Sequence, residues 1–153
     1  MVKELREEGV KQYNEIREKA GLPKLEDFEK EFECRIQSPA LPAVMSVLMD
    51  RLGQCASHIE IIFQPGRMAD AIESKFHTEE EKKELFDFYK KVLSMVHYVH
   101  ASVFEDRDAR LKEIKKLYNF YMKEVKPTMK KYLQTQAKAW LQEEKTEAKQ
   151  YFG

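Results

Sequence analysis

Apolar residues recur every three or four positions along nearly the whole chain, which is the spacing of one helix face rather than of a strand. Leu5, Val10, Tyr13 and Ile16 mark a first helix over residues 1–20, and Gly21 is placed to end it in a left-handed conformation. Pro23 delays the next helix to Leu25, from which Leu25, Phe28, Phe32 and Ile36 repeat. The segment Ser38-Pro39-Ala40-Leu41-Pro42 is a break, with Pro42 suited to a first helical turn, where its missing N–H costs nothing.

The third helix, residues 42–63, is the most apolar, with Asp50, Arg51 and Glu60 as its only charges. A helix apolar around most of its circumference belongs inside a bundle, so it is expected at the centre. Its small residues Ala43, Ser46, Gly53, Ala56 and Ser57 are expected to admit close neighbours. Pro65-Gly66 predicts a type II turn, then a short helix from Met68 to Phe76. Thr78-Glu-Glu-Glu81 has the form of a capping box and opens a helix to about Phe104, striped by Leu85, Phe88, Val92, Met95, Val99 and Val103. Asp106 or Asp108 caps the next, in which Leu111, Ile114, Tyr118, Tyr121 and Val125 keep a heptad rhythm. Pro127 then kinks one long helix or opens another. The helix predicted over 128–150 is mostly polar and is expected to protrude or to pack on a partner.

Composition narrows this to an all-α, single-domain bundle of six or seven helices spanning residues 1–153. The chain has only 5 Gly and 5 Pro, hence few turns, while 9 Phe, 7 Tyr and 1 Trp supply a core that a disordered chain lacks. No stretch approaches the roughly 18 uncharged apolar residues of a membrane span. The opening MVKELREEGV has no apolar signal core, so a cytoplasmic location is expected, and the thiols Cys34 and Cys55 suit a reducing compartment.

The chain balances 27 Lys+Arg against 27 Asp+Glu, but not evenly along its length. Residues 1–33 hold 7 basic and 10 acidic side chains, and residues 105–131 hold 9 and 5. Those segments are suited to pair with each other, within one chain or between two. A sequence pI near 6.9 argues against nucleic acid as a partner.

Candidate chemistry is sparse. His97 and His100 project from one side of their helix, beside a second apolar stripe of Phe86, Leu93 and Phe104. With His58 they form a candidate set for Zn²⁺ or Fe²⁺, although the Glu-x-x-His pairs of di-iron bundles are absent. Haem ligation from two helices finds no other support in the pattern. Glu80-Glu81-Lys82-Lys83-Glu84 followed by Glu105-Asp106-Arg107-Asp108 resembles the acidic motif that all-helical nucleotide pyrophosphatases gather around Mg²⁺ for phosphate hydrolysis. The two groups bracket one helix without Gly or Pro, and 21 residues of rise separate them by about 31 Å, too far to share an ion. No nucleophile elbow or glycine-rich phosphate loop occurs.

Tyr118, Phe120, Tyr121, Tyr132, Trp140, Tyr151 and Phe152 make the C-terminal half rich in aromatics, a composition favoured at interfaces. The chain is therefore expected to be a helical protein-binding or scaffold module rather than an enzyme, without a cofactor. It is expected to self-associate through residues 108–150, with Tyr118, Tyr121, Met129 and Trp140 as anchors. The alternative is a metal-dependent helical enzyme, with a transition metal on His58, His97 and His100 or Mg²⁺ at a phosphate.

Overall fold

The computed structural model describes residues 1–143, with side chains through Gln142. Helices are its only regular elements: α1 (Val2–Ile16), α2 (Leu25–Phe32), α3 (Ala40–Phe63), α4 (Met68–Ser74), α5 (Glu79–Ser102), α6 (Arg107–Phe120) and α7 (Lys126–Glu143). The π-helical turn Tyr121–Val125 joins α6 to α7 without leaving right-handed helical dihedrals, so these form one rod and the described residues fold as six. Pro127 thus neither stops the chain nor starts a separate element. It has no N–H to give the carbonyl one turn back, and the backbone adopts the wider i→i+5 pattern there, Lys126 N–H bonding Tyr121 O.

The central helix sits where its composition places it. α3 packs against α1, α2, α4, α5, α6 and the π-turn, and Val44, Leu48, Leu52 and Ile59 are sealed completely from water. It is not apolar all round, however. Ser46, Asp50, Gly53, Gln54, Ser57 and His58 face solvent, and a methyl built on Gly53 would touch nothing. The small residues expected to draw neighbours close therefore do so only at buried Ala56 and half-buried Ala43. Close backbone contact occurs instead at Gly9 of α1, where a Cβ would stand 2.6 Å from the carbonyl carbon of Gln37.

Local signals explain most boundaries. Gly21 is left-handed at φ +60°, and Leu22 N–H bonds Arg17 O while Gly21 N–H bonds Glu18 O, closing the helical turn after α1. Thr78 Oγ1 accepts from Glu81 N–H and Glu81 Oε2 accepts from Thr78 N–H, the reciprocal cap of α5. Asp106, not Asp108, caps α6 by accepting from Ala109 N–H at 2.8 Å.

Two expectations need correction. Gly66 does not have the positive φ that a type II turn requires. Its N–H and that of Arg67 instead bond Asp70 Oδ2, a buried carboxylate of α4. The second helix stops at Phe32, because Glu33 turns left-handed and Ile36 is buried from an irregular strand of chain. Arg6 holds that strand: its guanidinium forks onto both Glu29 oxygens and also donates to Ile36 O, while Ile36 N–H donates to Glu29 Oε1. Burial pushes the Glu29 carboxyl up, but Arg6, the Ile36 amide and Arg35 together more than reverse this, leaving it below the ordinary glutamate range.

The opposite charges of the two chain segments meet within the chain. Lys126 Nζ of the basic segment reaches Glu31 Oε2 of the acidic one at 2.8 Å. Among the described residues no helix is long and apolar enough to cross a membrane.

Two measurements check this account. Gly53→Ala should raise unfolding free energy by about 0.5–1 kcal/mol in urea titration, because it adds helix propensity at an open position. Glu29→Gln should cost about 2 kcal/mol at pH 7. A carboxyl held low in the folded state stabilises above its unfolded pKa, near 4.3, and loses that contribution as pH falls through its folded value. The gap between variant and wild type should therefore narrow from pH 5 downward.

Candidate functional site

The four anchors expected at an interface are engaged by their own chain. Tyr121 is buried, its ring 5.2 Å from Phe32, and its hydroxyl accepts from Arg51 Nη1 at 2.9 Å and donates to Glu31 Oε1 at 3.4 Å. The Arg51 guanidinium lies 5.3 Å over the Phe32 ring, completing a cation–aromatic stack. Tyr118 is half-buried, 6.5 Å from both Phe28 and Phe32. Burial raises the pKa of both phenols, so both stay protonated hydrogen-bond donors at neutral pH.

Met129 is buried, and Trp140 is half-buried edge-on against Phe76, donating its indole N–H to Glu73 Oε1 at 3.0 Å. Over its described length α7 buries Met129, Tyr132 and Gln136 against its own chain, while Leu133 and Leu141 stay exposed. Residues 144–150 of the expected terminal helix, with Tyr151 and Phe152, lie outside the described residues.

The histidines divide. His97 and His100 are exposed on α5 with ring centres 6.4 Å apart. His58 is exposed on α3 and does not join them, since among the described residues no three His, Cys, Asp or Glu side chains gather as metal ligands. The acidic groups at 80–84 and 105–108 remain at opposite ends of unbroken α5.

His77, which the spacing arguments passed over, is the most enclosed imidazole, its side chain only 6% exposed. It stacks on Tyr132 at 5.6 Å, and its Nε2 lies 2.8 Å from Gln136 Oε1. Gln136 Nε2 donates to the Tyr132 hydroxyl, which donates to His58 O, so the amide oxygen is left to accept the His77 proton. Burial, reinforced by Glu73, pushes the Tyr132 phenol up to about 12. This chain of bonds ties α7 to α3 and to the loop before α5.

Beside it runs a groove of about 330 Å³ between α5 and α7, with Leu85, Phe88 and Tyr132 among its lining and Glu84 and Lys131 on opposite walls. The second His77 nitrogen faces Glu81 Oε2 at 3.5 Å. Both nitrogens thus already face oxygen atoms of the protein.

The least expected surface is on the C-terminal half of α5. Residues 92–104, more than three helical turns, contain no Asp, Glu, Lys or Arg. One side of that segment packs inward through Val92 and Val99. The other places Ser94, His97, Tyr98, His100, Ala101, Val103 and Phe104 in solvent. Phe104 is 92% exposed, Tyr98 61% and Val103 50%. Isolated apolar side chains on a surface are ordinary, but this uncharged stretch leaves two aromatics, Tyr98 and Phe104, in solvent together. No protein family, no curated protein and no solved structure matches the chain.

The bonds of Tyr132 give a direct test. Tyr132→Phe removes the donor to His58 O and the acceptor for Gln136, and should cost about 1–2 kcal/mol in chemical denaturation without altering helix content by circular dichroism.

Proposed function

We propose that the protein is a helical interaction module that associates with a second copy of itself through the outer face of α5. The observation that carries this reading is the solvent exposure of Tyr98, Val103 and Phe104 on a segment without a single charged residue. Water contact with such a face is unfavourable by about 25 cal/mol per Å² of apolar area, and pairing removes it. This face is preferred to the one anchored on Tyr118, Tyr121 and Trp140, because those three rings already have partners within the chain.

Self-pairing is supported by the order of residues along the face. Lys90 and Glu105 stand equally far on either side of the midpoint between His97 and Tyr98. In an antiparallel pair of α5 helices small Ser94 would lie opposite small Ala101, with Lys90 at one end of the contact and Glu105, in the turn after the helix, near the other. A two-fold pair of this kind closes on itself and gives a dimer, not a fibre.

Sedimentation equilibrium in a chelator-containing buffer should show dimers at micromolar concentration. Phe104→Lys and Tyr98→Lys should each weaken the dimer at least tenfold while leaving the low-concentration melting temperature within about 2 °C of wild type, since surface substitutions away from packed groups change stability by under about 0.5 kcal/mol. A wild-type chain that stays monomeric throughout would overturn the reading.

A further inference from the structure

His97 and His100 lie on the same uncharged face, and we infer that two copies of the chain together form a divalent transition-metal site, of the Zn²⁺ class, with both histidines of each copy as ligands. The inference rests on the antiparallel pairing proposed above. Within one chain the pair is incomplete, because no third His, Cys, Asp or Glu joins it among the described residues. Two imidazoles alone make a weak half-site, whereas four supply the tetrahedral nitrogen set that Zn²⁺ accepts.

The geometry of the half-site is close to that of a chelate. With Zn–N bonds near 2.0–2.1 Å, each ring centre lies about 3.2 Å from the ion, so two rings on one tetrahedral ion stand about 5–6 Å apart. The observed 6.4 Å is within reach of a side-chain rotation. Both rings are exposed, so rotamer changes are fast and displace no core packing.

The second copy brings its own pair to the same place. His97 is half a residue from the midpoint of the Lys90–Glu105 span, and His100 less than one turn beyond. In the antiparallel register the four imidazoles fall within five residue steps, about 7.5 Å along the helix axis. A two-fold axis lying across the helices keeps the histidines of both copies on the same rim of the interface. No lysine or arginine lies between Lys91 and Arg107 on α5 or the turn after it to repel the ion. His58 on α3, which spacing alone grouped with these two, is not needed.

Zinc chloride titration of the intact chain, followed by isothermal calorimetry and sedimentation equilibrium, tests this. The expected results are one Zn²⁺ per two chains and a dimer dissociation constant at least tenfold lower in zinc than in EDTA. The His97→Ala/His100→Ala double variant should lose that tenfold shift, showing the same dimer dissociation constant in zinc as in EDTA. His58→Ala should keep both. Zinc bound with one ion per chain and no gain in mass would overturn the inference, as would a shift that survives the double variant. Association in EDTA that zinc leaves unchanged removes the metal site while sparing the interaction module. Monomers in EDTA that zinc converts to dimers through His97 and His100 do the reverse.

Discussion

Val44, Leu48, Leu52 and Ile59 run along one side of α3, and removing that row from water is the constraint to which the other elements answer. Each such side chain stabilises the folded chain by about 1.5–3 kcal/mol on burial, and the row from Val44 to Ile59 takes up most of α3. α1, α2, α4, α5 and the α6 rod each cover part of it. The covering is one-sided, and this governs much else. The opposite side of α3 is free to carry Asp50, Gln54 and His58, and the helices that embrace the buried side turn their own second faces outward.

The long C-terminal rod must then solve a local problem. Its residues contact both α2 and α5, and a straight α-helix would carry its apolar stripe away from them. The π-turn at Tyr121–Val125 adds a residue to the turn and shifts the stripe's phase, so that Phe120, Tyr121, Val125, Met129 and Tyr132 are all buried. Pro127 makes that register favourable by withholding the N–H of the regular pattern. Arg51 and Glu31 satisfy the Tyr121 hydroxyl at the seam, and Lys126 balances Glu31. Lys126 thereby ties the basic segment of the chain to the acidic one at this seam.

The same economy gives α5 two unlike surfaces. Its N-terminal half is a charged, solvated helix with a reciprocal cap, and it borders a groove whose imidazole is held by Gln136 and Glu81. Its C-terminal half is uncharged on every side, yet only the Val92 and Val99 side is sheltered.

Apolar spacing, capping residues and the scarcity of Gly and Pro were enough to read the all-α architecture, the central place of residues 42–63, the left-handed Gly21, the Thr78 cap and the long unbroken α5. These are consequences of periodicity and of backbone chemistry within a few residues, and they need no knowledge of neighbours. Tertiary contacts decided the rest. Ile36 reads as the last turn of a helix, but Arg6, thirty residues away, holds it in an extended segment. Gly53 reads as a close-packing position and faces water because nothing happens to cross there. Tyr118, Tyr121, Met129 and Trp140 read as surplus aromatic and apolar area, and only the placement of α2, α4 and Arg51 supplies their partners. For the α5 face, the signal was present as thirteen residues without charge, but composition cannot say which side of a helix is covered. That depends on which other helices arrive, and their arrival is set by the single apolar row on α3.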